Sequence, residues 1–126
     1  MAKRQGKRTT VLKNGIYIGS YSAAVGPKEA EGPLARYFDK TFHDELLGQS
    51  SFEKAESQLQ QISVGTTLKK AGISPDDIDM IFAGDLLNQC IGSAYGLREL
   101  GVPFVGLYGA CSTMALSLIL AATAVE

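Results

Sequence analysis

GVPFVGLYGACSTMALSLILAATA, residues 101–124, carries a strand signal, a turn signal and a helix signal in one run. Residues 103–107 read as a short buried strand. Tyr108, Gly109 and Ala110 read as a small-residue turn, and Cys111 as the opening of an apolar helix, with Ser112 and Thr113 directly behind it. A residue at that point meets free helix N–H groups and the positive end of the helix dipole, a setting that favours anions and thiolates. The turn is therefore a nucleophile, an anion pocket or a tightly packed corner, and local pattern leaves nucleophile and packed corner evenly matched.

Working back from this run, residues 85–89 (DLLNQ) lead from a short apolar strand at 79–83 into a second helix, expected over 88–100. Gly92, Ala94 and Gly96 make that helix smooth on one side, as suits close packing on another backbone. Further back, 51–71 reads as a helix. Ser50 or Ser51 caps it, Glu53 lies in its first turn, and Leu59, Ile62, Val64 and Leu68 form a stripe. Lys69 and Lys70 suit its C-terminal end, and Gly72 its left-handed stop. Pro75 then starts a short helical turn. Residues 21–50 are broken by Gly26, Pro27, Gly32, Pro33 and Gly48 and read as a long ordered loop with a helical turn near 34–38. Such a loop is usually functional or part of an interface. The segment 9–20 reads as a hairpin about Gly15 or as a first strand at 16–20. Strand and helix alternate, which implies an α/β chain with a mostly parallel sheet.

The 126 residues suffice for one domain. With 12 basic and 13 acidic side chains, the net charge of −1 argues against nucleic acid as a partner. The basic residues Lys3, Arg4, Lys7 and Arg8 cluster without an acid, and 1–13 reads as a flexible basic tail, with 1–10 disordered. Such a run otherwise suits lipid headgroups. Two cysteines fit a reducing compartment and are too few for a disulfide framework or a zinc site. No signal peptide is recognisable. The longest apolar run, 114–125, falls short of the roughly 20 residues that a membrane span needs, and reads as a buried helix. A helix apolar nearly all round expects cover on several sides. The chain ends just after it, so 14–126 is expected to be an incomplete domain.

The candidate site residues are Cys111 and Ser112 in one turn and Asp85, Asn88 and Gln89 in the other. The second group lies at the carboxyl end of a strand, where open α/β sheets bind ligands. Asn88 and Gln89 are amide donors for a carboxylate. Asp85 orients a neighbouring donor, or Asp85 or Asn88 simply caps the helix. Cys90 reads as core. A cysteine nucleophile needs a base, and the one histidine, His43, sits in the long loop. Elbow-serine, phosphate-loop and dinucleotide motifs are absent, so no cofactor is implied. Asp76, Asp77 and Asp79 lack the spacing of a calcium loop, so no metal site is implied.

AGISPDDIDMIFAGD resembles the helix end, turn and strand of the thiolase-like superfamily, and GLYGACST falls where that superfamily carries its reactive cysteine. The blocks from AAVGPKEAEGPL to FDKTFHDELLGQSSFEKAE, with AGDLLNQ and PFVGLYGACSTMA, more specifically resemble the stage V sporulation protein AD family. That resemblance implies two similar thiolase-like halves, of which this chain matches the N-terminal βαβαβα half, with a buried central helix after Cys111. It implies a non-catalytic protein that binds dipicolinic acid, free or as its calcium chelate. It also implies work with the other stage V A proteins to move dipicolinate into the developing spore, and peripheral association with the inner spore membrane. The wider superfamily implies pairing of two copies near the cysteine helix. It supplies the alternative as well: a thiolase- or ketoacyl-synthase-type acyltransferase with Cys111 as nucleophile, whose histidine and asparagine partners would come from the second half.

Overall fold

The computed structural model describes residues 3–126 and is a mixed α/β structure of four helices and three separate two-stranded sheets. The first sheet is an antiparallel ribbon of β1 (Lys3–Gln5) and β2 (Thr9–Val11), with Lys3 opposite Val11. It turns at Gly6, whose φ of +65° suits glycine, and the Arg4 guanidinium donates to the Lys7 carbonyl at 2.6 Å. So residues expected to lack structure are paired, because β-branched Thr9, Thr10 and Val11 have a partner strand within reach. Met1 and Ala2 of that run lie outside the described residues. The ribbon's base is held where the Glu126 carboxylate accepts from the N–H groups of Lys13 (2.9 Å) and Asn14 (3.2 Å).

No strand forms at 16–20. The segment instead lies along α2 (Phe52–Ala71) through its hydroxyls. Ser20 Oγ donates to the Thr67 carbonyl at 3.1 Å, and Ser22 Oγ to the Ser63 carbonyl at 2.6 Å, with Thr67 Oγ1 2.9 Å from Ser22 Oγ. Beyond it, β3 (Ala24–Val25) pairs in parallel with β4 (Lys40–Thr41). Between them run a single turn of helix, α1 (Pro27–Ala30), and a 3-10 turn at Ala35–Tyr37, where a helical turn was expected.

Helix α2 has the expected ends. Ser51 Oγ accepts from the Lys54 N–H at 3.4 Å, and Gly72 closes the helix in the left-handed region, its N–H reaching the Leu68 and Lys69 carbonyls. Ser74 and Asp77 then form a reciprocal cap around Pro75. Strand β5 (Ile81–Ala83) pairs in parallel with β6 (Phe104–Gly106), Ile81 opposite Phe104. The connection is α3 (Ile91–Leu97), flanked by 3-10 turns at Asn88–Cys90 and Arg98–Leu100. The helix is shorter than the expected 88–100 because Gln89 (φ 58°) and Cys90 (φ 51°) are left-handed and cannot join it. It packs on α2 through its glycines: a Cβ at Gly96 would lie 3.0 Å from the Ser57 carbonyl oxygen, and Ser57 Oγ donates to the Gly92 carbonyl at 2.9 Å.

The parallel pairs are thus two short sheets and not one continuous sheet. Among the described residues the buried apolar set is small: Ala55, Cys90, Leu97 and Leu107. The last helix, α4 (Thr113–Val125), lies on β5. It is not the buried helix its composition implies. Met114, Leu118, Ile119 and Val125 are exposed, because a two-stranded sheet is too narrow to cover a helix that is apolar on every side. Among the described residues no helix is long and apolar enough to cross a membrane.

Candidate functional site

β5 and β6 run parallel, so the turns that follow them leave at the same edge. The two turns are in close contact. Leu107 N–H donates to the Ala83 carbonyl at 2.9 Å, and the buried Cys90 thiol donates to the Leu107 carbonyl at 3.2 Å. Gly84 closes the arrangement. A side chain there would collide with the Leu107 carbonyl oxygen and come within 3.0 Å of Thr113 Cγ2. Only glycine lets the end of β5 approach the start of α4 so closely. Cys90 is buried in the core, as expected of it.

The turn after β6 holds Cys111. It is a 3-10 turn, Ala110–Ser112, so the thiol stands one short turn ahead of α4 and not at the helix's first residue. Cys111 and Ser112 are both exposed. Gly109 is near-helical (φ −92°, ψ 3°) and Ala110 follows with φ 47°. A right-handed residue followed by a left-handed one turns successive N–H groups to one side, the backbone arrangement that cradles anions. The N–H groups of Gly109, Ala110 and Cys111 donate to no acceptor among the described residues. By contrast, Ser112 is committed to the turn: its N–H (2.9 Å) and its hydroxyl (2.6 Å) both donate to the Gly109 carbonyl. Its oxygen retains acceptor capacity only, which suits holding the loop better than meeting an anion.

Thr113, which sequence reasoning passed over, is buried, and its Oγ1 has no hydrogen-bond partner among the described residues. A buried hydroxyl left alone costs about 1–3 kcal/mol, so a group at this point calls for an explanation. A threonine in the first turn of an apolar helix was the available signal. The other was Gly84, a glycine at a strand end.

In the turn after β5, the Asp85 carboxylate is half-buried and fully engaged. It accepts from Ser93 N–H (2.7 Å), Ser93 Oγ (2.6 Å) and Leu87 N–H (2.8 Å). It caps α3 through the Ser93 N–H, a free donor of the helix's first turn, and through the Leu87 N–H it also holds the turn that leads into the helix. Asn88 and Gln89 are exposed, and their side-chain amides form no hydrogen bond within the described residues. The left-handed Gln89 and Cys90 lift them out of the helix and onto the edge. The structure therefore brings both turns to one edge, with Asp85 fixing the backbone and Asn88 and Gln89 free to donate. His43 is exposed in the bend after β4, on the other parallel pair, and no side chain among the described residues hydrogen-bonds the Cys111 thiol. Among the described residues no group of three or more histidine, cysteine or acidic side chains is placed to hold a metal ion.

Comparison with known proteins adds a family to this geometry. The family model for stage V sporulation protein AD matches residues 6–126. A curated relative, stage V sporulation protein AD of Bacillus subtilis (strain 168), is 42% identical over 124 residues, which is 98% of this chain and 37% of the relative. The chain thus spans little more than a third of the length of the curated relative it matches.

Proposed function

The chain belongs to the stage V sporulation protein AD family, and we propose that this sporulation protein captures dipicolinic acid at the turn 109–111. The observation that carries the reading is the set of three N–H groups at Gly109, Ala110 and Cys111 that donate to no acceptor among the described residues, at the carboxyl edge of a parallel strand pair. Dipicolinate is a small planar ring with two carboxylates. One carboxylate accepts from the backbone donors, and the amides of Asn88 and Gln89 serve the other from the adjacent turn. The Cys111 thiol forms a wall of this pocket and takes no covalent part. Asp85 acts indirectly, by holding α3 and therefore the amides.

The reading extends to the whole protein. The chain is the N-terminal thiolase-like half, and a second half of similar fold completes the pocket. Dipicolinate enters free or as its calcium chelate. The protein works with the other stage V A proteins in dipicolinate uptake, peripheral to the inner spore membrane. The acyltransferase alternative has no observation in its favour: among the described residues no base touches the thiol.

Calorimetric titration with dipicolinate, with and without calcium, tests the reading. The parent and Cys111→Ala are expected to bind alike, because the backbone donors are kept. Cys111→Leu is expected to weaken binding at least about tenfold by filling the approach to them. Equal binding by all three proteins would show that the turn is not the site.

A further inference from the structure

The N-terminal ribbon and the segment after it form a surface that the dipicolinate reading does not use. Five of the chain's 12 basic side chains, Lys3, Arg4, Lys7, Arg8 and Lys13, fall in residues 3–13, which contain no acid. The other seven share the rest of the chain with all 13 acidic side chains. The molecule is therefore strongly polarised, with a cationic ribbon on an anionic body. Every residue of β1 and β2 is exposed. The ribbon is nevertheless anchored, because Glu126 holds the N–H groups of Lys13 and Asn14 at the end of α4.

Directly after this anchor, Tyr17 is 89% exposed and Ile18 is 74% exposed, and Val11 on the ribbon itself is also exposed. Basic side chains followed closely in sequence by an exposed tyrosine and aliphatic groups match the interface of a bilayer. Amphipathic rings sit at headgroup level there, stems of lysine and arginine lie along apolar surface, and each cation near an anionic leaflet adds attraction. A nucleic acid would answer the charges but would leave Val11 and Ile18 with nothing to bury against, and the anionic body would oppose a long polyanion.

We propose that the ribbon 3–13, with Tyr17 and Ile18, is a direct docking element for an anionic lipid bilayer. The inference deepens the peripheral-membrane part of the functional reading and does not depend on the dipicolinate site. The acidic body orients the docked molecule by repulsion, ribbon side down. Neutralising the ribbon and trimming the apolar pair act differently: the first removes the salt-dependent attraction, the second the salt-independent burial.

The test is co-sedimentation with vesicles of phosphatidylcholine and phosphatidylglycerol at about 3:1, and with phosphatidylcholine alone as control, over a salt series. The parent is expected to bind the anionic vesicles only, and to release as salt rises. A variant with Lys3, Arg4, Lys7 and Arg8 all changed to Gln should bind at least about tenfold more weakly. Tyr17→Ser with Ile18→Ser should also weaken binding, with the salt dependence unchanged. All six positions are exposed, so circular dichroism and dipicolinate titration should match the parent, which separates failure of docking from failure of the pocket. No binding to the anionic vesicles, equal binding by the Gln variant, or tighter binding to a single-stranded DNA oligonucleotide than to the vesicles would each overturn the proposal.

Discussion

Thr113 is the side chain whose chemistry is least satisfied. Its buried hydroxyl has no partner among the described residues, while its methyl group packs at Gly84. Thr113→Val keeps the shape and removes the orphan, so it should raise stability by about 1 kcal/mol in chemical denaturation. Asp39 makes a different kind of prediction. Its carboxyl is held below the ordinary aspartate range, first by the hydrogen bond from Lys70 Nζ at 3.0 Å and then by the Ala23 N–H. A carboxyl whose folded pKa lies below its unfolded value contributes stability that is complete above the unfolded value. That contribution is lost as pH falls through the folded one, so the window lies below the ordinary aspartate range. Lys70→Met should move the Asp39 midpoint upward, as read by carboxyl carbon shifts in an NMR pH titration. The pair is exposed, so the change should appear in titration far more than in overall stability.

Among the elements, α2 was readable to its ends because its signals are local: Ser51 begins it and Gly72 stops it. Helix α3 was readable in kind but not in extent. Two consecutive left-handed residues, Gln89 and Cys90, delay it, and neither is a type that announces such a conformation. The missing strand at 16–20 has a similar cause. Ser20 and Ser22 spend their hydroxyls on carbonyls of α2, 47 and 41 residues away respectively, and no local pattern reveals such a partner. The candidate site follows the same division. The two turns could be named from composition, but their meeting at one edge depends on β5 pairing with β6 and on the clearance at Gly84. The role of Asp85 emerges only from its partners on α3. Asp85→Ala should cost about 2 kcal/mol by releasing the Ser93 and Leu87 donors. Circular dichroism during urea unfolding measures the loss, and a variant as stable as the parent would contradict the capping role.

In the molecule as a whole, three short sheets and a small buried set leave α4 largely uncovered. Met114, Leu118, Ile119 and Val125 are exposed, and apolar helix surface of this extent drives association. The 126-residue chain should therefore self-associate with concentration in sedimentation velocity experiments. Leu118→Glu with Ile119→Lys should shift it toward the monomer. The carboxyl edge and the basic ribbon do not involve these positions, so the two proposed binding activities should survive that change. The most direct test of dipicolinate capture is the amide spectrum of isotope-labelled protein during addition of dipicolinate. Saturable downfield movement of the Gly109, Ala110 and Cys111 N–H resonances is expected, larger than at any other backbone group. Saturable shifts that leave these three unmoved, or no shift anywhere, would contradict dipicolinate capture at this turn.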